Sequence, residues 1–521
     1  MPTGRAATRY FYGRAADSPN GSTVYFGAAD SRIATREIAR PDVHAGSARP
    51  LNENRETDRF PPIDGVKRPG AIARVMNVEF LGGAREIGRS AVLVDDSLLL
   101  DYGMATGNPP SFPVGDPDPD AVVASHGHLD HVGSLPSLLS GDARPPIHWT
   151  PPTRDLTRVL ARDTLKLHGG SYDCPFTEVE IERLSQVSET HGYREQFSAA
   201  GYDVTLYDAG HIPGSAHVLV DDGETRLLYT GDFHTADQQL LSGTTARPEA
   251  DVVVCESTYS DVSRGSRSTS RGAERLAGHA PREQVESRFA RSVRTTVWEG
   301  GTVVVPAFAI GRTQEILLVC EAHDVDCYLD GMGQRVTEIV RQYPEFVRDA
   351  DALGRAKSNA RFVTGRDGHR GSKAPTSHTG QASRGQRKRI ADRNTVIVTT
   401  SGMLSGGPAM TYVPEIRANP TNKITFTGYQ VEGTPGRELL DTGRAEIDGR
   451  VMSVSAQVEA YDFSAHADRD GLLGFLDSYR DAEILVNHGD RCEAFAEELR
   501  EEGFDASAPE LGESVTTAAD G

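Results

Sequence analysis

The chain has 521 residues, room for two or three domains with cores of their own, and a formal net charge of −20. Arginine carries nearly all of the positive charge, since lysine stands only at Lys67, Lys166, Lys357, Lys373, Lys388 and Lys423, an acidic and lysine-poor balance that fits a high-salt cytosol. No apolar run is long enough to span a membrane, Met1-Pro2-Thr3-Gly4-Arg5 does not read as a secretory signal, and the five scattered cysteines form no CxxC pair; this argues against a membrane protein, a disulfide frame or a thiolate zinc site and places the chain in the cytoplasm.

In chain order, residues 1–74 are rich in Arg, Ala, Gly, Asp and Pro without sustained apolar periodicity. They are expected to be a disordered extension or a non-native translation product, with Met76 a candidate start. Strands are predicted at Met76–Leu81, Ala91–Val94 and Ser97–Gly103, a hairpin-like series, and at Ala121–Ser125. Helices are predicted near 153–167 and 178–190. Strands follow at Tyr202–Tyr207, Arg226–Asp232 and Asp251–Glu256. A Ser/Arg/Gly-rich patch, 263–280, precedes a helix at Arg282–Trp298. The strand Thr302–Pro306, a helix from about Thr313 to His323 and the strand Asp326–Asp330 then suggest a small parallel α/β domain. A second low-complexity patch spans 366–390, and strands return at Thr395–Thr399, Lys423–Phe426 and Glu483–His488.

Ser125-His126-Gly127-His128-Leu129-Asp130-His131 crowds three imidazoles and a carboxylate onto the loop after a buried strand. Packing does not ask for that; a divalent metal does. Asp101, Asp232, Glu256 and His488 also end apolar strands, and His211 follows one. If those strands share sheets, the groups converge on one edge, where open α/β sheets put their chemistry. The simplest assignment is a site for two Zn2+ ions. His126, His128 and His211 hold one, Asp130, His131 and His488 the other, and Asp232 bridges them opposite a hydroxide, the ions roughly 3.5–4 Å apart. His466, in Phe463-Ser464-Ala465-His466-Ala467-Asp468, is the candidate general acid. Glu256 is expected to orient it and keep it protonated, and Asp101 to hold a ligand in place.

The same residues carry a resemblance. HxHxDH is common to the metallo-β-lactamase superfamily, and three later pieces resemble its β-CASP group of nucleases: Glu256-Ser257-Thr258-Tyr259 (motif A), Phe463–Asp468 (motif B) and Val486-Asn487-His488-Gly489-Asp490 (motif C, here in its histidine form). Gly82–Ser90, Pro306–Glu315, Thr400–Gly407 and Thr427–Thr434 look like this group too, over roughly residues 76–510. The chain is similar to archaeal relatives of the nuclease subunit of the cleavage and polyadenylation specificity factor, without a segment that matches their KH domains.

The resemblance implies an α/β protein, a four-layer αββα metallo-β-lactamase fold with an inserted α/β β-CASP domain. Its parts would be 1–74, an extension; 75–258, the first part of the metallo-β-lactamase domain; 259–440, the β-CASP domain; 441–513, the return; and 514–521, a tail. It implies a zinc-dependent ribonuclease acting on single-stranded RNA in 3′-end processing, transcription termination or turnover. A homodimer and contacts with RNA polymerase or RNA-processing factors are further expectations. It prefers His211 to His217 as ligand. His234 is expected on the site wall or exposed, and His148, His168, His191, His279, His323, His369 and His378 are expected to be structural or solvated. Phosphate contacts are expected from Arg312 and the loop Ser401, Gly402, Gly406, Gly407, and base stacking from Tyr259 or Tyr429, because at about 1 M salt a Debye length of roughly 3 Å removes long-range attraction. The basic run Arg384, Arg387, Lys388, Arg389 is an RNA contact or a solvated loop. Two other readings stay open: a small-molecule hydrolase such as a thioesterase or lactonase, and a non-catalytic RNA-processing scaffold.

Overall fold

The computed structural model describes residues 75–107, 109–169, 174–262, 281–364, 369–370, 382–447 and 449–517. The 1–74 extension, the 263–280 patch and most of the 366–390 patch lie outside the described residues.

The first sheet is built from β1 (Met76–Gly82), β2 (Ala91–Val94), β3 (Leu98–Leu100), β4 (Ala121–Val123), β5 (Ile147–Trp149) and β6 (Ser188–Thr190). The chain then crosses to a second sheet with β7 (Gln196–Ala199), β8 (Tyr202–Asp208), β9 (Ala216–Asp221), β10 (Arg226–Tyr229) and β11 (Val252–Glu256). A third sheet takes β12 (Val303–Pro306), β13 (Cys327–Asp330), β14 (Arg361–Phe362), β15 (His369–Arg370), β16 (Val396–Thr399) and β17 (Lys423–Phe426). After the hairpin β18 (Arg444–Ile447) and β19 (Arg450–Ser453), it is closed by β20 (Gln457–Ala460). The chain returns to the second sheet with β21 (Glu483–Asn487) and β22 (Asp505–Ser507), and to the first with β23 (Ser514–Thr517).

The strand orders are β23-β1-β2-β3-β4-β5-β6, β22-β21-β11-β10-β9-β8-β7 and β15-β14-β13-β16-β12-β17-β20. Alternation along each strand explains the layering. Val92 and Val94 of β2, Leu227 and Tyr229 of β10, and Val252 and Val254 of β11 meet in the core between the first two sheets. Leu93 and Val122 turn outward to meet Leu135, Leu139 and Leu184. Leu228, Val253 and Cys255 turn outward against Leu472 and Phe475 of the helix Arg469–Leu476 and Phe495 and Leu499 of the helix Cys492–Glu501. Strands covered on both faces are near-continuous apolar runs, as Val252, Val253, Val254 and Cys255 of β11 are, and the result is the expected αββα stack.

The third sheet is parallel except at β15, with helices on both faces. Val303, Val305, Leu329 and Val398 face Phe289 and Ile316 on one side; Val304, Tyr328, Ile397 and Phe426 face Tyr412, Val413 and Leu439 on the other. The first of these cores also takes Leu156 and Val159 of the helix Pro151–His168, so that helix joins the two domains. Phe289 is fully buried, with ring centroids 5.4 Å from Phe463 and 5.7 Å from Tyr461, and so braces the segment that carries His466. Phe289→Ala should destabilise the fold by about 3–5 kcal/mol. Thermal unfolding checks this, and an unchanged melt would refute the bracing.

Four expectations differ from the observed fold. The helix expected at 178–190 begins with a Thr177–Glu180 capping box but ends at Arg183. Beyond it, Ser188, Glu189 and Thr190 pair in parallel with Ile147, His148 and Trp149, so tertiary pairing overrides the local pattern. The basic run is a helix, Arg384–Ala391, capped by Ser383; Arg387 pairs with buried Asp330 at 2.7 Å and Lys388 with Glu415 at 2.8 Å, so it is not a solvated loop. The third sheet continues beyond residue 440, because β20 pairs with β17. Residues Ser514–Thr517, expected in the tail, pair with β1. No helix among the described residues is long and apolar enough to cross a membrane.

Candidate metal centre

The ends of β3, β4, β10, β11 and β21 lie side by side, and the loops leaving them build one site. Two glycines allow the loops to close. A Cβ on Gly127 would come 2.8 Å from Leu156 Cβ, so glycine lets the His126–His128 segment lie against the helix Pro151–His168. Gly231 has φ of 51°, and a Cβ there would meet Ser125 Cβ at 2.8 Å; glycine lets the loop carrying Asp232 touch the loop carrying His126. Asp101 (φ 59°) and His488 (φ 48°) hold left-handed backbone without being glycine, a strain of about 1–3 kcal/mol each of the kind that functional sites retain.

Three ring nitrogens converge first. His128 Nδ1 lies 3.2 Å from His126 Nε2 and 3.0 Å from His211 Nε2. His211 is oriented by Nδ1–H, which donates to Ala465 O at 2.9 Å, leaving a lone pair on Nε2. Burial pulls His126 and His211 well below the ordinary imidazole value and His128 to about 4, so all three are neutral. Neutral imidazoles with converging lone pairs are the form a metal takes. With metal–nitrogen bonds of about 2.0–2.1 Å, a tetrahedral edge is about 3.3–3.4 Å, close to these spacings.

Asp130, His131 and His488 form the second group, all three donor atoms within 4.8 Å of one another. Asp232 stands between the groups. Its Oδ2 faces His126 Nε2 at 3.5 Å and His211 Nε2 at 3.7 Å; its Oδ1 faces His131 Nε2 at 3.3 Å and His488 Nε2 at 3.6 Å. Burial opposes the Asp232 charge, but His131, His488 and His466 outweigh it and hold the carboxyl well below its usual range. Burial likewise opposes charge on His131, yet Asp232 and Asp101 raise it well above the ordinary value. His131 Nε2 and Asp232 Oδ1 are buried without hydrogen-bond partners. A buried carboxylate facing orphaned imidazole nitrogen fits a cation, so the residues present fit a metal pair.

Asp101 sits behind this cluster. Its carboxylate accepts from Ser125 N at 2.7 Å, Ser125 Oγ at 2.6 Å, His131 Nδ1 at 2.7 Å and Tyr229 Oη at 2.8 Å. Glu256 accepts from Phe233 N at 2.9 Å and Thr258 N at 3.3 Å, and both its oxygens lie 3.3 Å from His466 Nδ1. Burial disfavours the His466 imidazolium, but Glu256 and Asp232 together raise its pKa above the ordinary value. The Tyr259 and His466 ring centroids are 5.6 Å apart.

His217 stays apart from both groups: its Nδ1–H donates to Thr230 O at 2.8 Å and its ring packs on Phe233 and Phe475. His234 is buried. Arg312 is half-buried and donates to Thr427 O; desolvation and the nearby Arg282 guanidinium pull its pKa to about 10. Ser401, Gly402, Gly406 and Gly407 follow the end of β16, where a Cβ on Gly402 would touch Phe308 N at 3.0 Å. Sequence reasoning did not find Tyr229, Ser125 or the Ala465 carbonyl as supports. Tyr229 was the one with a signal, a hydroxyl directly after Leu227 and Leu228 and three residues before Asp232.

Comparison with known proteins matches three family models along the chain: the metallo-β-lactamase superfamily at 85–253, the Beta-Casp domain at 313–439 and the Zn-dependent metallo-hydrolase RNA specificity domain at 451–509. The chain is 34% identical over 455 residues to RNase aCSPSF2 of Saccharolobus solfataricus, covering 84% of this chain and 85% of that protein. It is 30% identical to the probable RNase MJ4 of Methanocaldococcus jannaschii, covering 84% and 100%. It is 34% identical to the transcription termination factor FttA of Pyrococcus horikoshii, covering 85% and 71%. A crystal structure of a protein of unknown function from Enterococcus faecalis V583 shares the fold, with a TM-score of 0.55 and 13% identity over 85% of this chain and all of that one.

Proposed function

The chain belongs to the β-CASP group of the metallo-β-lactamase superfamily, and from that premise we propose that it is a metal-dependent ribonuclease that hydrolyses phosphodiester bonds in single-stranded RNA. One observation carries the reading: His466, held by Glu256, faces the same Asp232 carboxylate as the clustered histidines, at 3.9 Å from Oδ2. A metal site with a separate, carboxylate-oriented proton donor is built for expelling an alkoxide leaving group. The relatives named RNases and the RNA specificity model over 451–509 support RNA as the substrate, and those named termination factors support a setting in transcription termination or 3′-end processing.

In this reading His126, His128 and His211 would hold one zinc ion and Asp130, His131 and His488 a second, with Asp232 serving both groups. Bound zinc supplies Lewis acidity towards the phosphate and lowers the pKa of water to about 7. The chain's own residues do the rest. Asp101 fixes the His131 ring. Glu256 fixes His466, which gives its proton to the departing ribose oxygen. Arg312 keeps its charge at the cost of burial beside Arg282, a strain that a phosphate would relieve. Tyr259, between His466 and Arg312, offers a ring for a base to stack on. In the loop Ser401, Gly402, Gly406, Gly407 the Ser401 N–H donates to Gly406 O at 3.2 Å, and the glycine N–H groups are offered to the backbone of the RNA.

The test is one RNA labelled at either end, with 5′-triphosphate and 5′-monophosphate forms, run beside a thioester panel. Metal-dependent RNA cleavage is expected; thioester turnover without it would overturn the reading. Asp101→Asn should weaken metal binding about 10–100-fold, because the amide loses the charge that holds His131 and Ser125. Titration with a competing chelator measures this, and unchanged affinity would remove Asp101 from the site's support.

A further inference from the structure

A separate set of metal-ligating side chains lies at the edge of the αββα stack, on β5, β6 and the crossover into β7. Parallel pairing sets His148 of β5 opposite Glu189 of β6, so both leave the same face of the first sheet. His191, one residue past β6, is drawn to the same place because its backbone N–H donates to Trp149 O at 2.9 Å. His148 Nδ1 lies 3.0 Å from His191 Nε2 and 3.7 Å from Glu189 Oε2, and the three donor atoms fall within 4.8 Å of one another.

The rings are held before any ligand arrives. His191 stacks on Phe197 of β7 at 3.7 Å between centroids and 9° between planes, and His148 stacks on the same ring at 4.9 Å and 17°. His148 is 2% exposed. Burial pulls both imidazoles below the ordinary value, which keeps them in the neutral form that ligates. Glu189 has 57% of its side chain exposed and lines a cavity of about 360 Å³ with Ser188, Gln186 and Arg144, so its carboxylate is open to solvent. The Glu195 carboxylate accepts from Gly192 N at 2.9 Å, fixing the turn after His191, and favours positive charge on that ring.

We propose that His148 Nδ1, His191 Nε2 and Glu189 bind a further divalent transition-metal ion, independent of the catalytic centre. Two imidazole nitrogens and a carboxylate oxygen are a donor set that zinc accepts, with the fourth position left to water. The ion is structural. It ties β5 and β6, the edge of the first sheet, to the segment that crosses to β7, the edge of the second, and clamps the stack where it has no covering strand.

The full chain is loaded with Zn2+, desalted and counted by elemental analysis beside His191→Phe, which preserves the stacking on Phe197, and Glu189→Gln, whose exposed position leaves folding intact. His191→Phe should hold one equivalent fewer than the parent. Glu189→Gln should lose that equivalent to a chelator more readily, with affinity down by more than about tenfold. Equal zinc content and equal chelator resistance in all three proteins would overturn the proposal and leave a hydrogen-bonded histidine pair. Repeating the His191→Phe comparison in an Asp232→Asn background separates the two centres. If the catalytic assignment is the one at fault, Asp232→Asn leaves the zinc count unchanged while the His191→Phe difference persists.

Discussion

Asp232→Asn should empty the catalytic centre of metal and abolish RNA cleavage in the same step. The substitution changes neither size nor shape, so the effect is chemical. Asp232 presents one oxygen to His126 and His211 and the other to His131 and His488, at 3.3–3.7 Å. An amide keeps one acceptor oxygen, but its nitrogen carries two hydrogens and no lone pair for a cation. It also removes the one negative charge shared by both histidine groups. If the paired ions supply several kcal/mol of transition-state stabilisation, at 1.36 kcal/mol per decade, the loss is about three to four orders of magnitude in cleavage rate. Elemental analysis and single-turnover cleavage on one preparation check both halves. Full zinc occupancy in the variant would refute the shared-carboxylate assignment. Full activity at reduced occupancy would show that one ion suffices.

How far this centre could be read from the sequence depends on how local its signals are. His126, His128, Asp130 and His131 fall within six positions, a crowding that asks for a metal, so they were visible at once. Asp232, Glu256 and His488 were visible because each ends a run of apolar residues, and strands in one sheet share an edge. Strand pairing brings them together: β11 lies between β10 and β21, which puts residues more than 200 apart on adjacent strands. The inserted domain was legible where apolar runs or helical periods are sustained, as in Val303, Val304 and Val305 and in the helix Arg282–Trp298. Strands β18 and β20 alternate polar and apolar residues over only four positions each, too short a run to read, and only pairing with β17 assigns β20 to the third sheet.

The illegible parts share a cause. Ser188–Thr190 carries no strand signal of its own; it is a strand because β5 offers it an edge. The same pairing creates the His148, Glu189 and His191 cluster, from residues that looked like isolated histidines in the chain. Arg387 looked like part of a solvated basic run, yet its partner Asp330 ends a strand 57 residues earlier and is 2% exposed. A charge pattern read along the chain cannot reveal a partner that packing delivers.

His466→Ala should retain the metals and lose about two to four orders of magnitude in cleavage, the size of a missing general acid. The geometry separates this residue from the ligands. His466 Nδ1 faces both oxygens of Glu256 at 3.3 Å, and Glu256 is itself anchored by Phe233 N and Thr258 N, so it stays in place when the ring is removed. The companion substitution Glu256→Gln fixes the sign. Burial opposes the imidazolium, and Glu256 is the largest of the charges that outweigh it and raise its pKa. An acid works while protonated, so cleavage should fall as pH rises through the raised pKa of His466. Replacing the carboxylate with an amide removes that support, lowers the pKa and moves the alkaline limb of the pH–rate profile to lower pH. Metal content of His466→Ala and the pH–rate profile of Glu256→Gln are the two measurements. Loss of metal in the first would make His466 a ligand. A limb that stays in place or moves to higher pH in the second would show that Glu256 does not sustain the proton that His466 donates.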